Sequence, residues 1–301
     1  MSGRLEPYER TWRAADAADQ LRIPTRDDHK YSRGVVALRT GGPAFPGAAV
    51  LSVEGAWRAG AGLVRWAGDA DTGRLVLQRR PETVVRGSRV DALVAGSGVP
   101  AAADRDERTT RRIQEFLARG IPAVVDAGAL DLAAHARGPV VVTPHDRELL
   151  EVRIPLGLGP SDVGEDPLLP RLRHSFDERL LAVRETAIAL GGVVLLKGAT
   201  TIVATPGGWW TAVDAGTPWL ATAGTGDVLA GAMGAVIAQA AAGSEDLDVE
   251  RLGPLAATAA WVHGTAGRLA AGDGPGHPIT ALDVAEHLPL AFRAAFADDA
   301  G

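Results

Sequence analysis

The sequence predicts an α/β chain with a mostly parallel central sheet and helices on both faces. Three observations carry this. Short runs dense in Val, Leu, Ile and Ala recur without apolar/polar alternation, as strands buried on both faces require. Longer segments with three- and four-residue apolar spacing separate most of these runs, the alternation that a parallel sheet needs. Late in the chain a "PGG" turn joins two β-type runs directly, which adds antiparallel strands at one edge.

In order, the first 30 residues read as irregular or loosely helical. "GVVAL" (34–38) is a strand, 47–60 a helix and "GLVRWA" (62–67) a strand; no pattern resolves between there and "DALVAGSG" (91–98), a strand ending in glycines. A charged helix over 103–119 precedes two buried-type strands, "PAVVDA" (122–127) and "PVVVTP" (139–144). Residues 155–170, rich in Pro and Gly, read as a surface loop and 171–190 as one long amphipathic helix. "VVLLKG" (193–198) is a strand, 200–213 the hairpin, and helices follow over 225–242, 254–271 and from Thr280, where "TALD" has capping-box spacing. No internal repeat or linker is visible, so residues 29–298 form one domain behind a 1–28 extension.

The chain has 301 residues, 46% apolar and 23% charged, as in ordinary packed domains. A net charge of −6 argues against broad attraction to nucleic acid or an anionic membrane and favours small-molecule partners. Cysteine is absent, which removes disulfides, thiol nucleophiles and thiolate metal sites and fits a reducing compartment. No stretch reads as the roughly 18 apolar residues that span a bilayer, and the start is polar; the expected location is cytoplasmic. Of 31 basic residues only Lys30 and Lys197 are lysines, so both positions merit inspection.

The segment with the clearest chemistry is "LATAGTGDVLAGAMGAVIAQA" (220–240). Val228, Leu229, Ala232, Met233, Val236 and Ile237 form an apolar stripe, so "AGTG" is delivered to a helix N-terminus. Free amides and the positive end of the helix dipole there bind anions, and glycines let an anion approach the backbone. An acid in the first turn is what any helix start favours, but a plain cap needs neither Gly224 nor Gly226. Asp227 beside an anion-binding backbone is arranged to take a proton from a hydroxyl while the amides hold the phosphoryl group that the hydroxyl attacks. There is no G-x-x-x-x-G-K-[ST], and "GSGVPA" (96–101) lacks the third glycine of the dinucleotide fingerprint.

These residues resemble a known family. "GTGD" before a late helix resembles the anion hole of the ribokinase-like superfamily. "HKYSRGVVAL" (29–38), "FPGAAVLSVEGAWRAGAGLV" (45–64), "AGSG" (95–98), "VVDAGAL" (124–130), "VVVTPHDREL" (140–149), "VVLLKGATTIVATPGG" (193–208) and "ATAGTGDVLAG" (221–231) resemble, in order and spacing, the NAD(P)H-hydrate dehydratases. The resemblance implies a three-layer ribokinase-like fold. It also implies repair of NADHX and NADPHX, the hydrated reduced nicotinamide cofactors, with ADP or ATP as co-substrate and Mg²⁺: the ring hydroxyl is phosphorylated, and phosphate, a better leaving group than hydroxide, is eliminated.

By the same resemblance Asp227 is the catalytic base, and the amides of Gly224, Thr225 and Gly226 stabilise the transferred phosphoryl group. Lys197, Gly198, Ala199, Thr200 and Thr201 of "KGATT", with Gly226, hold the nucleotide. Ala49, Gly98 and His145 contact the hydrated cofactor together with Asp227, and Glu148 helps hold Mg²⁺ through water. Relatives of this kind assemble as dimers or tetramers. Some carry an N-terminal epimerase domain for the two NAD(P)HX stereoisomers; with thirty residues ahead of the first motif, the epimerase is expected on a separate polypeptide. The chain departs from the family's usual T-G-N-P-G-M-A at "AGTPWLA" (215–221), with Thr217 and Trp219, and from "TPHPGE" at "TPHDRE". A small-molecule kinase of the same superfamily, acting on a thiazole or pyrimidine alcohol, would share Asp227, the glycine loop and Mg²⁺. A nucleotide sensor without turnover would have no use for the base.

Overall fold

The computed structural model describes residues 10–159, 168–244 and 247–297. Eight strands, β1 (Val35–Arg39), β2 (Leu63–Trp66), β3 (Ala92–Ala95), β4 (Ala123–Val125), β5 (Val140–Val142), β6 (Val193–Leu196), β7 (Thr201–Ala204) and β8 (Trp210–Val213), form one sheet in the order β2-β1-β3-β4-β5-β6-β7-β8. Pairing is parallel from β2 through β6, with Val94 opposite Val124 and Val124 opposite Val141, and antiparallel for β7 and β8. The apolar runs are explained by burial on both faces.

The helices are α1 (Ala14–Ala18), α2 (Pro46–Arg58), α3 (Ala70–Arg79), α4 (Glu107–Leu117), α5 (Asp146–Arg153), α6 (Leu168–His174), α7 (Phe176–Leu190), α8 (Thr225–Ala242), α9 (Val249–Ala271) and α10 (Ala281–Ala295). One face of the sheet packs on α1, α2, α3, α8, α9 and α10, the other on α4 to α7 and a 3₁₀ stretch, Ala127–His135. The three layers expected from the sequence are present. The described part of the N-terminal extension packs on the same core: Trp12 Nε1 donates to Thr258 Oγ1 at 3.2 Å, and the Trp12 backbone amide donates to the Ala212 carbonyl at 2.8 Å.

Helix α8 is buried nearly all round rather than along one stripe. Gly231 lies against the Ser52 carbonyl of α2 and Gly234 against Val94 of the sheet, where any side chain would collide. It is also long and apolar enough to span a bilayer, with mean hydropathy 1.2 over 18 residues, which corrects the reading that no stretch is. Two-sided packing accounts for that apolarity, since 72% of it is buried in the core.

Other differences have local causes. The stretch after β2 that shows no clear sequence pattern contains α3, whose start is fixed by Asp69 accepting from the Thr72 amide at 2.9 Å. The long helix expected over 171–190 is two helices, because Ser175 leaves helical backbone and caps α7 through the Glu178 amide. The loop expected over 155–170 falls partly on 160–167, outside the described residues. Helix α9 starts before Pro254, capped by Asp248, and tolerates the proline inside its second turn. Asp106 caps the charged helix at Glu107, later than expected.

Candidate active site

The polar residues of the site stand at the carboxyl ends of the parallel strands, where α/β sheets bind ligands. Asp126 follows β4 and is buried; its carboxylate accepts from Ser97 Oγ at 2.9 Å, Thr143 Oγ1 at 2.7 Å and Lys197 Nζ at 2.9 Å. Lys197 follows β6 and also lies 3.4 Å from Glu148 Oε2. Burial pushes the Asp126 pKa up, but the Lys197 charge and the three donors outweigh it and hold the carboxyl below its usual range. Burial pushes Lys197 down, and the Asp126 and Glu148 charges more than reverse it. The pair is therefore ionised at neutral pH.

Asp227 lies in the first turn of α8, half-buried, facing this pair. Burial first, then the Asp126 charge, raise its pKa from 3.8 to about 6, against the lowering effects of Lys197 and the Ser97 hydroxyl. That suits a base working near neutrality. The helix begins at Gly224, which has φ +90° and would drive a Cβ into Leu51. Only glycine fits, and the chain turns so that the first amides of α8, which have no intrahelical acceptor, are presented together. The Thr225 hydroxyl ties the loop to itself by donating to the carbonyls of Leu220 at 2.9 Å and Thr222 at 3.0 Å. His263 of α9 donates from Nε2 to the Thr225 carbonyl at 2.9 Å; burial lowers its pKa to about 4, so it is neutral at physiological pH.

Against the glycine loop opens a cavity of about 630 Å³. Its walls are Lys197, Gly198, Ala199 and Thr201 on one side and Val213 to Pro218 with Leu220 and Ala221 on the other, with Thr225, Gly226 and His263 also lining it. A nucleotide fits this volume. Behind the wall, the Thr200 carbonyl accepts from Arg179 Nη1 at 3.0 Å and that of Lys197 from Nη2 at 3.2 Å. Arg179 thus props the loop from behind. Asp146, the departure in "TPHDRE", is 3.5 Å from Arg179 Nε, which gives that charge a structural purpose.

On the other flank the strand order reverses between β1 and β3, a topological switch point. The Gly41 amide donates to the Ser97 carbonyl at 2.6 Å, and Gly98, with φ +68°, sits where a Cβ would be 2.6 Å from Ala48 Cβ and 2.9 Å from the Phe45 carbonyl oxygen. Ala49 does not line this cradle. It is fully buried, and a Cβ on Gly41 would meet its side chain at 2.7 Å, so it supports the cradle from beneath. That corrects its expected role in direct contact.

His145 caps α5, its Nδ1 accepting the amides of Arg147 and Glu148 at 3.2 Å each, while the Glu148 carboxylate accepts the His145 amide at 2.7 Å. Because Nδ1 is an acceptor, the neutral ring carries its proton on Nε2, on a side chain 54% exposed. Glu148 joins this cap to Lys197, so Asp227, His145, Glu148 and Lys197 belong to one polar constellation. Lys30 is elsewhere: it precedes β1, at the opposite strand ends, with Nζ 5.1 Å from the Tyr31 ring centre. The sequence reading singled out neither Asp126, Ser97, Thr143, His263 nor Arg179. For Asp126 a signal existed, an acid directly after an all-apolar strand.

Known proteins share this fold. The Bacillus subtilis ADP/ATP-dependent NAD(P)H-hydrate dehydratase co-crystallised with ATP/Mg²⁺ superposes with a TM-score of 0.78 at 24% identity, covering 95% of this chain and 98% of that one, and a Pyrococcus horikoshii hydroxyethylthiazole kinase with 0.60 at 16%, covering 92% of each; both show the shared fold. The bifunctional NAD(P)H-hydrate repair enzyme Nnr of Mycobacterium leprae is 35% identical over 93% of this chain and 55% of its own length, and that of Mycobacterium tuberculosis 36% over 75% and 45%. The chain spans about half the length of the curated relatives it matches. The family model for NAD(P)H-hydrate dehydratase matches residues 36–289, which take in the cradle, the Asp126–Lys197 pair and the glycine loop, and on that match the chain belongs to the NAD(P)H-hydrate dehydratase family.

Proposed function

We propose that the protein restores NADHX and NADPHX to NADH and NADPH, with ADP or ATP as phosphoryl donor. The observation that carries this is Asp227, a carboxylate whose pKa is pushed up to about 6, in the first turn of α8 next to Gly226 of the nucleotide-sized cavity and within reach of Lys197 of its wall and of Ser97 beside the glycine cradle. Asp227 takes the proton of the ring hydroxyl as its oxygen attacks the terminal phosphorus of the nucleotide; the bond to the bridging oxygen breaks, and ADP leaves from ATP, or AMP from ADP. The amides at Gly224, Thr225 and Gly226 hold the charge of the migrating group, and Lys197 adds a fixed positive charge. The C–O bond of the new phosphate ester then breaks and the departing phosphate takes a proton from the adjacent carbon, so that the elements of water are gone and the dihydropyridine is restored. His145, protonated on Nε2, is a donor for the cofactor's polar groups.

Among the described residues no three acidic or histidine side chains are grouped so as to hold a metal ion by themselves, so a cage made of protein ligands is not what they offer. They fit a Mg²⁺ that is held mainly by phosphates and water, with Glu148 as the acid reached through water. The ion would neutralise phosphate charge. Interconversion of the NAD(P)HX stereoisomers would call for other catalytic groups than these. The reading sets the protein in the cytoplasm, where reduced nicotinamide cofactors turn over.

The test is incubation of the protein with NADHX or NADPHX, Mg²⁺ and either nucleotide, following the absorbance of the re-formed dihydropyridine. A nucleotide-dependent rise supports the reading. Nucleotide binding without any rise would shift the assignment to a kinase for another alcohol.

A further inference from the structure

The turn Pro218–Leu220 contributes to one wall of the nucleotide-sized cavity, yet the Trp219 ring takes no part in that wall. Its Nε1–H donates to the Pro275 carbonyl at 2.8 Å. The indole lies on Gly276, where φ is +70° and a Cβ would come within 2.8 Å of Nε1 and 3.0 Å of Cδ1. Next to it, Leu220 is seated on Gly267 of α9, whose missing Cβ would be 2.6 Å from Leu220 Cδ2. Leu220 also accepts the Thr225 hydroxyl through its carbonyl. The wall is therefore continuous with the anion hole at one end and fastened to the α9–α10 connection by the indole.

Behind the wall, α9 supports its two ends, Gly264 lying against Ala215 and Gly216 and Gly267 against Leu220, and leaves Thr217 and Pro218 between them without such backing. A second cavity of about 640 Å³ separates Gly216, Thr217 and Pro218 from the Gly272–Gly276 loop, with Arg268 at its side. Gly216, Thr217 and Pro218 line both cavities, so the middle of the wall depends on its fastenings more than on packing. The indole is 36% exposed, so its ring is not kept there by burial alone.

We propose that Trp219 is a positioning residue for the nucleotide: by tying the 214–221 wall to the 272–277 loop it sets how tightly the cavity holds ADP or ATP. This rests on the reading that the cavity takes the nucleotide. Trp219→Phe removes the donor and keeps an aromatic ring. Gly276→Ala lifts the ring from the opposite side.

Binding of ADP and ATP by calorimetry, alongside steady-state kinetics, tests the tie. Trp219→Phe should weaken nucleotide binding about fivefold, the worth of one hydrogen bond, and raise the nucleotide KM to match. kcat at saturating nucleotide and the KM for NAD(P)HX should stay within about twofold. Gly276→Ala should show the same split, and the double variant should be no weaker than the worse single one, since both break one tie. Wild-type affinity in both single variants, or a fall in kcat with unchanged nucleotide KM, would overturn the proposal. If the wild-type protein itself binds neither nucleotide, the reading of the cavity fails and the tie's role fails with it.

Discussion

Asp227→Asn should stop turnover and stabilise the protein. The raised pKa means that the fold destabilises the Asp227 carboxylate relative to the unfolded chain, and a rise from 3.8 to about 6 corresponds to about 3 kcal/mol. The sign follows from proton binding. Between about pH 4 and 6 the native state holds the Asp227 proton more tightly than the unfolded state, so this group's contribution to stability falls as pH rises through that window, and above it the full cost is present. Asparagine keeps the shape and removes the charge. At pH 7.5, Asp227→Asn should therefore melt higher by about 5 °C, the shift that about 3 kcal/mol gives in a chain of this size. Near pH 4 the two proteins should melt together. Turnover should fall by about 10²- to 10⁴-fold, the usual worth of a general base, while nucleotide binding persists. Paired melting curves at the two pH values, with the NADHX assay, check both halves. An asparagine variant that is no more stable at pH 7.5, or that turns over normally, would refute the assignment of a strained base.

Three further outcomes follow from the same groups. kcat/KM should decline with unit slope below an apparent pKa near 6, because only ionised Asp227 accepts the proton, and Asp227→Asn should flatten that limb of the pH–rate profile. Lys197→Met should lower stability by about 3–5 kcal/mol in urea unfolding, since it leaves Asp126 charged, buried and held by two hydroxyls alone; adding Asp126→Asn should recover most of the loss. Gly224→Ala should lower both the melting temperature and kcat, the latter about 10²- to 10³-fold, because the residue has φ +90° and its Cβ would push against Leu51, displacing the amides of the anion hole.

What the sequence made legible was whatever is written locally. Buried strands show as unbroken apolar runs, and the start of α8 shows because Gly-Thr-Gly-Asp spells both a left-handed turn and a dipole-facing acid. Helix α3 was hidden because its ten residues are only half polar, form no clear stripe in the sequence and include Gly73, which packs against Trp66 where a side chain would not fit. The break at Ser175 was hidden because the helical period runs on across it; only the capping bond to Glu178 interrupts the backbone. Ala49 reads the same whether it lines a site or backs one, and its depth depends on Gly41, eight residues earlier in the chain. Asp126 and Lys197 illustrate the same limit. "VVD" and "LLK" each end an apolar strand with a charge, but that the two charges are 2.9 Å apart follows from β5 lying between β4 and β6, which no local pattern encodes.

That adjacency explains how a lysine and a base can share one pocket. Lys197 alone, beside Asp227, would lower the carboxylate's pKa and weaken it as a base just where a phosphoryl group needs a cation. Asp126 removes the conflict. It holds Lys197 charged through a 2.9 Å contact, and its own charge acts on Asp227 in the raising direction. The Ser97 and Thr143 hydroxyls add two further donors to Asp126, so the buried acid stays ionised without taking a proton from the reaction. On the proposed function the cation is thus fixed for the phosphoryl group, and Asp227 is left with a pKa near 6, high enough to accept a proton and low enough to be ionised at neutral pH.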